Sequence, residues 1–258
     1  MTGAWHLFKK DFFSFCRSWV GVFVLFSYLF VGGVFFTLFL LGYSQLSLQA
    51  ASESYQGMEG LSITTFVMGA FILNAGVLFL FLAPLLSMRS LAEEKRAGTL
   101  ELLYTYPLSD FEIVLGKYLA LLAELALLFL PTLLYAGVIR FLGPRIDAGV
   151  LFSGVIGFFL LGGTFLAIGL FYSSLTENQI LASSLTFATL LALWISEWVA
   201  GLLPGVWASR FEVFSPFVHY RDFPLGIVDL TDVAFFGCAI LFFFFLSLRT
   251  VEARNWKG

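Results

Sequence analysis

Six long apolar segments set the architecture open to this chain. They lie near residues 19–41, 63–87, 113–139, 150–175, 179–203 and 227–248. A helix that crosses a hydrocarbon core of about 30 Å needs about 20 mostly apolar residues, and each segment meets or approaches that length. Lys117 and Glu124 interrupt the third segment, and the sixth is free of charge only after Asp232. The sequence therefore predicts an all-α integral membrane protein with six transmembrane helices.

The composition agrees with this fold class. The chain is 60% hydrophobic and 12% charged, against about 45–50% and about 25% in ordinary soluble domains. No long polar block interrupts residues 1–258, so we expect a single transmembrane domain without a separate soluble catalytic domain of about 100 residues. The net charge of −3 gives no reason to expect nucleic acid as a partner. Cys16 and Cys238 are expected to be free thiols, and the first apolar segment is too long for a cleaved signal peptide.

The basic residues predict the orientation, because Lys and Arg are retained on the cytoplasmic side of a membrane. Ten of them precede the first span, flank the connection between the second and third, or follow the sixth, whereas the alternate connections hold four. Both termini and the connection from Met88 to Glu112 are therefore expected in the cytoplasm, with Lys117 snorkelling to the inner surface. The tryptophans and Tyr220 would form aromatic belts, with Trp194, Trp198, Trp207 and Tyr220 outside and Trp5, Trp19 and Trp256 inside.

The first twenty residues have the pattern of an amphipathic helix. Aromatic residues recur at steps of three and four, with polar residues around the rest of the helix: Trp5, Phe8, Phe12, Phe15 and Trp19. Such a helix is expected to lie in the inner membrane interface. A simple membrane anchor and a force-transmitting element are both open interpretations.

The segment from Met88 to Ala120 concentrates much of the chain's charge between two spans. Gly98 predicts a break after a helix that leaves the membrane, and Thr99 can cap a new short helix that Pro107 ends. Ser109 and Glu112 have the spacing of a capping box that opens the third span. An ordinary positive-inside loop would explain the basic residues but not this succession of capped helices.

The same segment, EEKRAGTLELLYTYPLSDFEIVLGKYLA, resembles the cytoplasmic signature of type-2 ABC transporter permeases, and most closely the branch with gliding-motility permeases. The matching positions are an acidic-basic cluster, a Gly-Thr pair, a Glu, a Leu pair, a Pro and a Gly-Lys pair: Glu93, Glu94, Lys95, Arg96, Gly98, Thr99, Glu101, Leu102, Leu103, Pro107, Gly116 and Lys117. Weaker resemblances are FKKDFFSFCRSW, with Asp11 where relatives more often have Glu, SSLTENQILA, and SPFVHYRDFPLGIVDLTDV.

The resemblance implies an ATP-driven exporter. Two permease subunits, identical or related, would lie side by side above two ABC ATPase subunits that hold ATP and Mg, with lipid and an auxiliary envelope protein as further partners. The complex would lie in the cytoplasmic (inner) membrane of a bacterium or archaeon. The short helix near Thr99–Tyr104 would be the coupling helix, which contacts the ATPase through residues that include Leu100, Leu103 and Tyr104. A role in the cell envelope or in motility follows only if the gliding-motility branch is right.

No catalytic, cofactor or metal site is expected in this chain itself. The P-loop pattern fails around Gly116-Lys117, because Phe111 stands where a glycine is needed, and H-E-x-x-H is absent from the sequence. ATP hydrolysis would belong to a separate chain.

Asn74 and Glu124 are the candidates for a substrate path, because polar groups at membrane depth are costly unless they meet a partner or water. Counting along each span places them at similar depth. The alternative for Glu124 is a protonated carboxyl group bonded to a neighbouring helix.

Two further segments carry structural expectations. The small residues of the fourth span favour close helix packing: Gly154, Gly157, Gly162, Gly163, Ala167 and Gly169. The outer connection from Pro204 to Asp232 is apolar enough to hold short interfacial or re-entrant helices. Other classes of function stay open, namely a channel or secondary transporter without an ATPase, and a structural subunit that recruits an ATPase without transport.

Overall fold

The computed structural model describes residues 2–52, 62–99, 108–141, 143, 146–202 and 212–253, and every regular element in these ranges is a helix. Six helices in these ranges are long and apolar enough to cross a membrane, which confirms the predicted number. The elements in chain order are α1 (Thr2–Arg17), α2 (Trp19–Ser52), α3 (Ala70–Ser87, preceded by a π-helical turn at Thr64–Gly69), α4 (Ala92–Arg96), α5 (Asp110–Phe141), α6 (Ala148–Leu175), α7 (Gln179–Leu202), α8 (Pro216–Tyr220), a 3₁₀ turn (Phe223–Leu225) and α9 (Leu230–Glu252).

The first transmembrane helix is longer than its apolar segment. α2 has 34 residues and continues about ten residues past the predicted end near residue 41. Its last turns, from Gly42 to Ser52, contain serine, glutamine and alanine but no proline. Nothing in that stretch prevents helical hydrogen bonding, so the helix continues past the hydrophobic run.

α6 is the central helix of the bundle. Buried residues follow one another from Leu161 to Leu170, and the helix packs against α3, α5, α7 and α9. A Cβ atom added to Gly162 would lie 2.7 Å from a methyl carbon of Leu125, and one added to Gly169 would lie 2.0 Å from Ser87 Oγ. The predicted role of these small residues in close helix packing is confirmed, because no larger side chain has room there.

The outer connection folds back into the bundle. Phe217, Tyr220 and Phe223 of α8 and the following 3₁₀ turn are buried. Tyr220 is completely buried and donates a hydrogen bond of 2.6 Å to the carbonyl oxygen of Ile72. The expected place of Tyr220 in an aromatic belt is therefore wrong, because its hydroxyl finds its partner inside the protein rather than at the water interface. Trp207 and Trp256 lie outside the described residues.

α1 is helical as predicted, but its aromatic residues do not form one stripe. Trp5, Phe8 and Phe12 stack in sequence, with ring centroids 4.8 Å and 6.0 Å apart. Phe15 instead belongs to the hydrophobic core, and Trp19 begins the next helix with 90% of its surface exposed. The helix turns its small residue Ala4, with Leu7, toward α5. The face that packs is thus set by close approach to α5 and not by aromatic content.

Candidate functional site at the charged end of the bundle

Lys117 lies at the centre of the charged end. It is on the second turn of α5, and its side chain is only 1% exposed. Its ammonium group donates a hydrogen bond of 3.1 Å to Asp11 of α1 and lies 2.8 Å from Glu94 Oε2 of α4. The expectation that Lys117 snorkels to the inner surface is wrong, because two carboxylates from other helices neutralise it where it is.

Glu94 extends this network to a second lysine. Its Oε1 accepts a hydrogen bond of 2.9 Å from Lys10 of α1. Burial alone would lower the pKa of the Lys10 ammonium, but the hydrogen bond and negative charge of Glu94, with the charges of Asp11 and Glu93, raise the pKa above its ordinary value. Two charged residues of α1 therefore meet one glutamate of α4 and one lysine of α5 in a single cluster.

Gly116 explains why α1 can approach α5 closely enough for these contacts. A Cβ atom added there would lie 2.8 Å from the carbonyl oxygen of Ala4 and 3.1 Å from Leu7 Cβ. The backbones of the two helices touch at this point, and any side chain would separate them. In the Gly-Lys pair of the sequence motif, the glycine thus permits the contact and the lysine holds it by charge.

α4 is held against the C-terminal end of α6 by two serines. The backbone N–H groups of Leu91 and Ala92 both donate to Ser173 Oγ at 3.0 Å, and Lys95 donates to the carbonyl oxygen of Ser174. Ser173 in turn donates to the carbonyl oxygen of Met88 at 3.2 Å. The N-terminal backbone donors of α4 are therefore satisfied by α6 rather than by a side chain of their own segment.

The break at Gly98 is present in the structure. Gly98 has φ +68°, a left-handed conformation, directly after the C-cap residue Ala97. The hydroxyl of Thr99 donates back to the carbonyl oxygen of Glu94 at 3.4 Å. Glu93 of α4 lies 3.9 Å from Arg89, which precedes the helix. Arg96, the last residue of α4, is exposed. The remaining coupling residues lie outside the described part of the chain: Leu100, Glu101, Leu103, Tyr104 and Pro107.

The start of α5 has the predicted capping box. The backbone N–H of Ser109 donates to Glu112 Oε2, and the N–H of Glu112 donates to Ser109 Oγ, each at 3.3 Å. This reciprocal pair fixes where the third transmembrane helix begins. It also places Leu108 against Gly3 of α1.

A cavity of about 300 Å³ lies beside the charged cluster, between α1, α3, α4 and α5. Glu124 lines it, together with Leu85, Leu86 and Arg89. Glu124 is 5% exposed, and its Oε2 atom has no hydrogen-bond partner among the described residues. The alternative of a bond to a neighbouring helix is thus not seen in this part of the structure.

Asn74 is not brought to this cavity. Its amide donates to the carbonyl oxygen of Ala70 within the same helix, at 2.8 Å. It precedes Leu85, which lines the cavity, by eleven residues, or roughly 16 Å at about 1.5 Å per residue. The two candidates for a substrate path therefore do not line the same cavity, and their place in a path stays a prediction.

Sequence reasoning missed Asp11 and Ser173 as members of this site. Asp11 lies in FKKDFFSFCRSW and Ser173 begins SSLTENQILA, two segments with a weak resemblance to the family. Neither residue belongs to a local pattern that predicts its partner. The partner of Asp11 is 106 residues away and those of Ser173 are more than 80 residues away in sequence. Only the packing of α1, α4 and α6 brings them together.

Comparison with known proteins identifies the family. A family model described as ABC-2 family transporter protein matches residues 5–247, which is nearly the whole chain. No curated protein matches it. Proteins of this family are in general non-catalytic, multi-pass membrane subunits that work with ATPase partners. The chain therefore belongs to the ABC-2 transporter family and is a membrane subunit of an ABC transporter.

Proposed function

We propose that this chain is the permease subunit of an ATP-driven exporter, and that partner ATPases act on it through the segment that follows Gly98. The observation that carries the proposal is the position of Lys117, which joins α1, α4 and α5 and binds Glu94, four residues before Gly98. Closure of the ATPases would displace the coupling helix and switch a path between two permease subunits from inward to outward access.

The contacts around α4 support a rigid transmission. α4 is bound to α1 and α5 by charge, and to α6 by the hydrogen bonds of Ser173. A buried ion pair resists separation, because either charge left alone in the interior is costly. A movement imposed on α4 is therefore shared by helices on three sides and is not absorbed by a flexible loop.

The wider assembly follows from family membership and from the charge pattern. Two ABC ATPase subunits carrying ATP and Mg would dock beneath two permease subunits, identical or related, with an auxiliary envelope protein as a further partner. The chain would lie in a bacterial or archaeal inner membrane with both termini in the cytoplasm. Asn74 and Glu124 as lining of the substrate path, and a gliding-motility or envelope role, stay predictions.

The test is capture of the tagged full-length chain from its native membrane, with identification of co-purifying chains and assay of ATP hydrolysis. Glu101→Lys and Gly98→Pro should both insert normally yet lose the ATPase or its coupling. Proline cannot adopt the positive φ of Gly98, and the charge of Glu101 is predicted to face the ATPase. Glu212→Lys is the matched control, since it reverses an exposed charge just before α8.

Retention of the ATPase and of coupled hydrolysis in both variants would contradict the coupling assignment. Failure to recover any ATPase with the unmodified chain, across several mild detergents, would favour a channel or secondary transporter. Recovery of an ATPase whose activity no substrate changes would favour a structural subunit.

A further inference from the structure

Three side chains that line the cavity beside Lys117 have a buried polar atom without a hydrogen-bond partner among the described residues. One of these atoms, Glu94 Oε2, lies 2.8 Å from the Lys117 ammonium, and the other two have no ion pair that close among these residues. Glu124 Oε2 and Arg89 Nε are both buried atoms without a hydrogen-bond partner there. One is an acceptor and the other a donor, and both residues line the same cavity. Buried polar atoms are rarely left unpaired, because the loss of hydration is not repaid.

The charges of the cavity do not compensate one another completely. Three basic and four acidic side chains line it. Lys117 is paired with Asp11 and Glu94, Lys10 with Glu94, and Arg89 weakly with Glu93 at 3.9 Å. Glu124 is the carboxyl group without a cation beside it, and Arg89 keeps a free Nε donor.

We propose that this cavity binds a zwitterionic amino-phosphate group, with its ammonium on Glu124 and its phosphate on Arg89. A primary ammonium group would give Glu124 Oε2 the positively charged hydrogen-bond donor that no described residue provides. A phosphate oxygen accepts from the guanidinium. The chemistry is that of the head group of phosphatidylethanolamine, and also that of its water-soluble glycerophosphate form.

The size and surroundings of the cavity suit such a group. A volume of about 300 Å³ is at the lower limit for small-molecule sites. Phe15, Leu85 and Leu86 supply an apolar wall beside the charged groups. The side chains of Lys10 and Arg89 are 59% and 40% exposed, so the cavity is open on their side. Such binding would involve this chain alone and would require no ATPase.

The first experiment uses the unmodified full-length chain, freed of lipid in detergent and titrated with defined lipids under native mass spectrometry. The probes are phosphatidylethanolamine, phosphatidylcholine and phosphatidylglycerol with identical acyl chains. Phosphatidylcholine keeps the phosphate and the positive charge but cannot donate hydrogen bonds. We expect phosphatidylethanolamine to bind about tenfold more tightly than either, the gain typical of a hydrogen bond to a charged group. Equal binding of the three lipids overturns the proposal and needs no variant.

Two variants separate the roles of the two side chains. Glu124→Gln should abolish the preference for phosphatidylethanolamine over phosphatidylcholine. Arg89→Gln should weaken the binding of both lipids and leave their ratio unchanged. Glu197→Gln is the matched control, because it makes the same carboxyl-to-amide change on α7, away from the cavity, and should change nothing. A preference that survives Glu124→Gln contradicts the assignment.

Competition with glycerophosphoethanolamine distinguishes the two sources of the head group. Displacement of the lipid by this soluble compound would support recognition of a water-soluble amino-phosphate. Resistance to displacement, with the preference among lipids retained, would support a membrane lipid as the occupant.

Discussion

The two ends of the helical bundle are closed by different kinds of contact. At the charged end, Lys117, Glu94 and Asp11 connect three helices around a polar cavity. At the other end, Tyr220 and Phe223 pack into the bundle, and the contacts are aromatic rings against glycines. The polar cavity has room and unused hydrogen-bonding groups for a ligand, whereas tight aromatic packing has few alternative arrangements. The charged end can therefore accept a ligand without breaking its ion pairs, and the opposite end could accept one only if its rings moved.

The largest effect is expected from Lys117→Met at the charged end. Removal of the ammonium leaves the partly buried Asp11 without its ion pair and Glu94 with Lys10 alone. The expected loss in the free energy of unfolding is about 3 kcal/mol, at the lower end for a broken buried pair. Hydrogen exchange should show faster exchange of α1 amides, while α8 amides stay protected. Lys9→Met is the matched control, because Lys9 is an exposed lysine of α1, the helix whose exchange is measured. Equal protection of α1 in both variants would show that the ion pairs do not hold this end together.

A smaller loss of stability is expected from Gly157→Ala on the opposite side of the comparison. The added Cβ atom would lie 2.4 Å from Phe223 Cβ, so the 3₁₀ turn must move away from α6. Overpacking of this kind costs about 1–3 kcal/mol, measured as the free energy of unfolding in detergent with a denaturing surfactant. Gly137→Ala meets no atom within 4 Å and should be neutral or stabilising. If both variants behave alike, the packing at this end is looser than the structure shows.

The smallest effect is expected from Tyr220→Phe, which keeps the ring and removes only its hydroxyl group. The hydrogen bond to the carbonyl oxygen of Ile72 is lost, at a cost of about 0.5–1.5 kcal/mol. Tyr135→Phe is the control, because its hydroxyl bonds to the carbonyl oxygen of Leu29 in a more exposed position. Thermal unfolding of both proteins in the same detergent measures the difference. A loss at Tyr220 no larger than at Tyr135 would mean that ring packing alone closes this end.

The sequence by itself determined the membrane-spanning helices and several of their boundaries. A bilayer requires long apolar helices, because unpaired backbone groups are too costly in hydrocarbon, so the signal is local and strong. The capping box of Ser109 and Glu112 and the break at Gly98 were predictable for the same reason: each depends on residues within a few positions. The glycines of α6 likewise predicted a packed helix.

The tertiary structure alone decided which polar groups meet. Lys117 is paired instead of snorkelling because Asp11, 106 residues away, is brought to it by the contact of Ala4 with Gly116. Tyr220 is buried because the connection before α9 turns into the bundle, and Asn74 bonds within its own helix and does not line the cavity that contains Glu124. Local pattern fixes helices, since their hydrogen bonds are local, but the register between helices depends on side-chain packing across the whole bundle. That register decides that Lys117 is paired and that Glu124 Oε2 has no partner among the described residues.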